Sequence, residues 1–304
     1  MKLWHGAALS LALLALPAVA QESNTTGGDD IVVTAERMRE VVRSFVGEVG
    51  ATSSQDRLAR WDRRVCTGLV GIREREQAQY MVDRIAQRAF DVGLEPGAAG
   101  CTPNVLVFVT QDSDALARVV AEQYREFIGY NANEAAVTQG REALNAFIES
   151  DQPVRWWHVS QTVSANGQVL GESRTQMART GGFRNAQIVR QNDAGRLRGT
   201  TRQDFSRVII IVDAQRAAGK QFSALADYVA MAALAQLNPE SDTSRYATIL
   251  NMFEPGAATV ALTDWDVAYL RGLYDAPRAS RNSRQQEAAI ARSMSGGLTE
   301  GQDQ

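Results

Sequence analysis

Asp227 and Tyr228 are the polar residues that could most directly do chemistry, because they interrupt the most apolar helical segment of the sequence. The segment 222–237 is apolar on nearly every face, so its pattern predicts a centrally buried helix. A buried carboxylate must be paired or hydrogen-bonded, or its pKa rises. Asp227 and Tyr228 are therefore candidates for a catalytic acid or a ligand-binding group. The alternative is an internal hydrogen bond, for example to the loop 238–256.

Residues suited to metal binding are few. His158 is the only histidine beyond the first 20 residues, and a mononuclear zinc site needs two or three His or Cys ligands. In the alternating segment 156–160, His158 fits a packed strand histidine better than a general base. Glu240 and Asp242 lie in an acidic loop without the spacing of a calcium-binding loop. We therefore predict no metal and no cofactor.

Motifs for nucleotide binding or nucleophilic catalysis do not occur. The sequence has no G-x-S-x-G elbow, no P-loop and no glycine fingerprint of a dinucleotide-binding fold. Its formal net charge of −3 also makes nucleic acid a poor default partner.

Cys66 and Cys101 are the only cysteines, and the pattern around them predicts a disulfide. Cys66 opens a predicted strand over 66–72, and Cys101 lies just before a second strand over 104–110. A predicted helix joins the two strands. In a parallel β-α-β unit both strands begin at the same sheet edge, which brings the cysteines within bonding reach.

The first 20 residues have the three parts of a cleavable export signal. Lys2 supplies a positive start, and residues 7–16 form an apolar run too short to anchor in a bilayer. Small residues up to Ala20 predict cleavage after that position. The sequence thus predicts a periplasmic or secreted protein without a transmembrane segment after cleavage.

The elements that would position these residues follow the order β-α-β-α-α-β-β-β-β-α-loop-α. This order predicts an α/β to α+β fold with a mixed sheet, a disulfide-linked β-α-β unit, a hairpin and a buried central helix. The hairpin is predicted from Asn166-Gly167 as a type I′ turn between strands 154–164 and 168–174. The predicted divisions are a signal peptide over 1–20, a flexible leader over 21–56, one globular domain over 57–275 and a polar tail over 276–304.

Further predicted elements complete this order. The remaining strands are expected over 186–191 and 207–213, and the remaining helices over 37–49, 75–92, 113–127, 134–149 and 263–274.

The C-terminal third resembles uncharacterised exported proteins of Gram-negative bacteria. The resemblance rests on the run 226–239, on Thr248-Ile249-Leu250-Asn251 and on 262–275, which ends in Leu273-Tyr274-Asp275. The overall order also resembles a zincin-like (metallopeptidase-like) scaffold, whose helix at this place carries H-E-x-x-H. Here the helix reads Asp227-Tyr228-Val229-Ala230-Met231, without either histidine. The resemblance implies a scaffold that lacks the zinc ligands, a pseudoenzyme.

Near the N-terminus, Asp30-Ile31-Val32-Val33-Thr34-Ala35 resembles a TonB box. Such a peptide docks in extended form on the edge of a sheet of the periplasmic protein TonB. The alternatives are an ordinary edge strand of the domain or a disordered leader.

Two functional hypotheses follow from these observations. The first is a non-catalytic envelope protein that binds a ligand or a protein partner, with a TonB-linked accessory as one variant. The second is a hydrolase that uses the carboxylate of Asp227, with Tyr228 or Asp264 nearby. The second requires Asp227 to face a solvent-connected cleft beside another acid.

Overall fold

A computed structural model of the chain describes residues 27–51, 57–129, 140–168, 172–173, 186–187 and 199–300. The helices in this part of the chain are α1 (Gly27–Val49), α2 (Arg75–Asp91), α3 (Ser113–Gln123), α4 (Arg141–Glu149), α5 (Phe222–Leu234), α6 (Asp264–Asp275) and α7 (Ser283–Glu300), with a 3₁₀ helix at Ile249–Phe253. The strands are β1 (Thr67–Val70), β2 (Val105–Thr110), β3 (Val154–Ser164), β4 (Glu172–Ser173), β5 (Ala186–Gln187) and β6 (Thr201–Asp213).

The main sheet has four strands in the order β1-β2-β6-β3. The first three strands are parallel, with Thr67 opposite Val105 and Val105 opposite Val208. Strand β3 runs antiparallel to β6. The predicted mixed sheet in an α/β chain is therefore confirmed, whereas nothing in the fold identifies a zincin-like scaffold.

Helices cover both faces of this sheet, as the apolar runs in its strands require. Along β6, Val208, Ile210 and Val212 join a core with α2 and α5, whereas Ile209 and Ile211 join a second core with α3 and α4. The side chains alternate because successive residues of a strand point to opposite faces. The connections after β1 and β2 therefore leave the sheet toward opposite sides.

The Cys66–Cys101 disulfide is present, as predicted. Cys66 lies directly before β1, and the segment that carries Cys101 leads into β2, which pairs with β1 in parallel. Gly97 lies so close that a Cβ there would stand 2.4 Å from the Cys101 sulfur. The disulfide and its glycine thus fasten the amino edge of the sheet.

The predicted hairpin differs from the observed turn. The Gly167 N–H bonds to the Ser164 carbonyl at 2.8 Å, and Gly167 has a φ of +82°. The central residues of the turn are therefore Ala165 and Asn166, rather than the Asn166-Gly167 pair of a type I′ turn. Strand β3 pairs with β6, and most of the predicted strand 168–174 lies outside the described residues.

The predicted domain boundaries also need correction. The chain divides into a unit of residues 1–37 and a compact unit of residues 38–304. In the compact unit, Val42, Phe45, Val46 and Val49 are fully buried, so residues 38–49 are core rather than flexible leader. The predicted helix 37–49 is confirmed, but it starts earlier, and residues 30–35 are helical rather than extended.

Residues 276–304 are not simply a polar tail. Most of this segment forms α7, which buries Ile290, Ala291 and Met294 in the main core. The amide of Gln286 pairs with both backbone groups of Leu58, at 2.8 and 3.0 Å. A few apolar residues of α7 are enough to hold it against the core, because Gly272 of α6 lets the backbones of α6 and α7 approach closely.

The predicted signal peptide, residues 1–20, lies outside the described residues. Among the helices that the structure describes, none has the length and apolar character needed to cross a membrane.

Candidate functional site

A cleft of about 650 Å³ lies beyond the carboxyl ends of β1, β2 and β6. It is lined by residues 71–74 after β1, by the end of β2 and the residue that follows it at 109–111, and by parts of the segment 214–220 after β6. Because the chain leaves β1 for one face and β2 for the other, the two segments diverge and leave an opening. Open α/β sheets bind ligands at such crevices, and ligand pockets commonly enclose ~300–1,000 Å³.

Both apolar and polar side chains line the cleft. Val109, Phe222 and Leu225 contribute apolar surface, whereas Met81 lies beneath it and is fully buried. The rim carries three charged groups: Arg73, Glu74 and Lys220.

The two rim cations form no ion pair in the part of the chain that the structure describes, although Glu74 lines the same cleft. Neither Arg73 nor Lys220 forms a salt bridge within the described part of the chain, and Lys220 is the only lysine besides Lys2. Its ammonium lies 5.9 Å from the centre of the Phe253 ring. Helices α2 and α5 also begin at this cleft without a side-chain cap. Glu74 and Glu76 offset the positive end of the α2 dipole, whereas the first turn of α5 has no acid, so α5 adds the positive end of its dipole. The cleft therefore favours an anion.

Asp227 does not line this cleft. Its side chain is fully buried and accepts two hydrogen bonds from Arg84, at 2.7 and 2.9 Å, and two from Arg88, at 2.8 and 3.0 Å. The Leu262 N–H adds a bond of 3.0 Å. Burial alone would raise the pKa of Asp227, but the bonds from Arg88, Arg84 and Leu262 hold it below its ordinary value.

This geometry makes Asp227 unsuitable as a catalytic acid. Five donors occupy both carboxylate oxygens, which leaves no room for a substrate, and the lowered pKa keeps the group ionised. An internal bond was one of the two predicted roles, although its partners lie mainly on α2 rather than in the loop 238–256. The two arginines were missed: their i,i+4 spacing places two like charges on one helix face, which calls for a neutralising acid but does not say which one.

Tyr228 faces a different environment from its neighbour. It lines a small cavity of about 180 Å³ between α5 and the loop 238–256, together with Trp156 and Glu254. Its ring packs edge-on against Phe253, with centroids 5.2 Å apart. Burial, followed by the charge of Glu254, raises the pKa of Tyr228, so the phenol stays protonated and can donate a hydrogen bond.

His158 is a core residue. Its Nε2 lies 2.9 Å from the Ala232 carbonyl, and its ring stacks on Phe205 with centroids 5.1 Å apart. Burial lowers the pKa of His158 to about 4, although the bond to Ala232 opposes this shift. The imidazole is therefore neutral, with Nε2 as the donor, and its buried Nδ1 has no partner in the described structure. It has no access to substrate.

A polar network at the ends of β2 and β6 was not anticipated from the sequence. Ser113 donates to Asp213 at 2.7 Å and accepts from Arg155 at 3.0 Å. Arg216 and Arg155 both bind Asp114 and hold the pKa of that carboxyl well below its ordinary value. Each acid is matched by several donors, so this network fastens α3 to the sheet. An acid that ends a buried strand, such as Asp213, signals such a network.

Other predicted sites have simple outcomes. Asp242 uses one carboxylate oxygen to accept from the backbone and hydroxyl of Ser244. Nowhere in the described segments do three or more His, Cys, Asp or Glu side chains gather in a way that could hold a metal ion. The docking peptide 30–35 lies in α1, and β-augmentation would require this part of the helix to unfold.

Comparison of the chain with protein-family models, with curated proteins and with solved structures found no match.

Proposed function

We propose that this protein is an exported, non-catalytic binding protein, and that its cleft at the carboxyl edge of the sheet takes a small organic anion with an apolar portion. The observation that carries this proposal is the cleft itself, with Lys220 and Arg73 on its rim. An anionic group would meet these cations and the uncapped N-terminus of α5, whose first turn has no acid. An aliphatic or aromatic portion would cover Val109, Phe222 and Leu225.

A binding role is supported over hydrolysis by the arrangement of the acids. Glu74 is the only carboxylate that lines the cleft in the described structure, so no acid–base pair faces a substrate there. Asp227, which the hydrolase hypothesis requires, is saturated with hydrogen bonds.

Export is supported by the disulfide, since such bonds persist in oxidising compartments. We expect the chain produced in a Gram-negative host to be recovered from the periplasm or the medium with Gln21 as its first residue. Mass spectrometry of the intact protein checks this expectation, and a cytoplasmic protein that retains residues 1–20 would contradict it.

Calorimetric titration with octanoate tests the cleft. Octanoate should bind, whereas octanol, inorganic phosphate and acetate, which each lack one of the two features, should bind at least about tenfold more weakly, a difference of ~1.4 kcal/mol. Lys220→Ala and Arg73→Ala should weaken octanoate binding by a similar factor. Arg118→Ala removes an exposed cation from α3 and should change nothing.

Three results would count against the cleft proposal. They are the absence of octanoate binding, equal binding of octanol, and equal losses in Arg118→Ala and Lys220→Ala.

A further inference from the structure

The small cavity beside Tyr228 has a chemistry opposite to that of the cleft. Two carboxylates line it, Asp242 and Glu254, and no lysine or arginine does so in the described part of the chain. Arg245, which lies close to Asp242, pairs with Glu48 instead. Two aromatic rings, of Trp156 and Tyr228, form the other side, with centroids 6.2 Å apart. The cavity is therefore acidic and aromatic.

The hydroxyl of Tyr228 is the second observation that points to a ligand. The side chain is 94% buried, being 6% exposed, and it lines the cavity. Within the described residues its hydroxyl makes no hydrogen bond, and unlike the Tyr269 hydroxyl it is not sealed from solvent, so it is accessible from the cavity. A buried phenol usually finds a partner. In this position a bound molecule or water supplies it.

Several neighbouring polar groups are already satisfied within the protein. The Trp156 indole N–H donates to the Leu237 carbonyl at 3.1 Å, so its ring surface is what remains for contact. The Asn251 amide bonds to Thr243 and to the Tyr246 carbonyl. Among the described residues that line the cavity, the groups without a partner include the Glu254 carboxylate, the second oxygen of Asp242, the Gln152 amide and the Tyr228 hydroxyl.

We propose that this cavity binds a small organic ammonium ion, a ligand that the cleft beyond the strand ends would not accept. The carboxylates of Glu254 and Asp242 supply the countercharge, and the rings of Trp156 and Tyr228 supply cation–π contact. The cavity of about 180 Å³ admits a compact amine but not a bulky one. A hydroxyl or amine on the ligand meets the open phenol.

A metal ion fits this cavity less well than an organic cation. Calcium takes about six to eight oxygen ligands, and the described residues of the cavity offer two carboxylates rather than a group of three or more acidic, His or Cys side chains. Apart from the phenol oxygen of Tyr228, the two aromatic side chains offer no ligand to a hard metal ion. Their ring faces favour a weakly hydrated ammonium group instead.

Titration with choline tests the proposal, with the neutral isostere that has carbon in place of the nitrogen as the reference. Choline should bind at least about tenfold more tightly than this isostere, a difference of ~1.4 kcal/mol. Glu254→Gln should weaken choline binding by a similar factor, and Tyr228→Phe should weaken it by a smaller one. Glu240→Gln removes an exposed acid of the same loop that does not line the cavity, and it should leave binding unchanged.

The choline experiment has clear contrary results. Equal binding of choline and its isostere, no binding of choline at millimolar concentration, or equal losses in Glu240→Gln and Glu254→Gln would overturn the proposal. So would calcium chloride binding more tightly than choline and displacing it. Glu254 is exposed, so its variant should fold, and circular dichroism checks this. Octanoate binding at the cleft should not change in Glu254→Gln, which separates the two sites.

Discussion

Asp227 of α5 and Arg88 of α2 form a two-point ion pair, with Nε–Oδ1 and Nη2–Oδ2 distances of 2.8 and 3.0 Å. Arg84 binds the same carboxylate from one helical turn earlier, at 2.7 and 2.9 Å. The acid is fully buried, whereas the side chain of Arg84 is 27% exposed and that of Arg88 is 18% exposed. One buried negative charge therefore holds two partly solvated cations, and it fastens the two helices that cover one face of the sheet.

Replacing Asp227 by Asn should destabilise the fold strongly. The amide cannot neutralise two guanidinium groups, and breaking a buried ion pair from one side costs roughly 3–5 kcal/mol. Urea unfolding followed by circular dichroism measures the loss. Octanoate should still bind the cleft of the folded variant, because Asp227 does not line it.

Removing the arginines provides the matched comparison. Arg84→Ala should cost less than Asp227→Asn, about 1–2 kcal/mol, since Arg88 still neutralises the acid and the lost group is partly solvated. The triple change Arg84→Met, Arg88→Met and Asp227→Leu should recover part of the stability lost in Asp227→Leu alone. A triple variant no more stable than Asp227→Leu would show that the cluster is not an isolated ionic unit.

The stability of the protein should depend on pH through His158. Burial lowers the pKa of His158 from 6.5 to about 4 in the folded state, so the unfolded chain binds a proton in this range and the folded chain does not. The free energy of unfolding should therefore fall as the pH drops from about 6.5 to about 4, by roughly 3 kcal/mol in total.

Comparison with His158→Gln isolates this effect. Gln keeps a donor for the Ala232 carbonyl but does not titrate, so the difference in stability between the two proteins should change over this pH range. Carboxylates with a lowered pKa, such as Asp213 and Asp227, change the free energy of unfolding mainly below pH 4. Their contribution is the same in both proteins and cancels when the two free energies are subtracted. Parallel stability curves for wild type and variant between pH 4 and 7 would contradict the assignment.

The Cys66–Cys101 disulfide should contribute substantially to stability. It closes a loop with a sequence separation of 35 residues, for which the chain-entropy model gives roughly 3–4 kcal/mol. Urea unfolding of Cys66→Ala with Cys101→Ala should show this loss. Reduced wild-type protein should approach the variant, and a reduced protein as stable as the oxidised one would refute the expectation.

Parts of the fold followed from local sequence. The run Val208–Val212 predicts a buried strand because it is apolar on both faces, and the all-apolar segment around Val229 predicts a buried helix. The position of Cys66 and Cys101 at two strand starts was sufficient to predict their bond. These signals depend on neighbours along the chain, which a sequence shows directly.

The strand order and the site could not be predicted from local sequence, because they depend on residues that are far apart in the chain. β6 inserts between β2 and β3, so the end of the strand at Asp213 meets Thr110, about a hundred residues earlier in the chain. The cleft, which has both Lys220 and Arg73 in its lining, exists only with that strand order. The roles of Asp227 and Tyr228 differ for the same reason, since adjacent residues on a helix point in different directions and meet α2 in one case and a loop in the other.

Helix α7 should depend on the absence of a side chain at Gly272. A Cβ at this position would stand 2.8 Å from the Ile290 carbonyl oxygen, a backbone atom that can move only with its helix. Gly272→Ala should therefore push α6 and α7 apart and cost about 1–3 kcal/mol. Gly296→Ala in α7 is the matched control, since its Cβ would have open space within 4 Å, and helix propensity predicts a gain of about 0.5–1 kcal/mol. Thermal unfolding of both variants gives the comparison. If Gly272→Ala were as stable as Gly296→Ala, the two helices would not be in the close contact that makes residues 283–300 part of the compact unit.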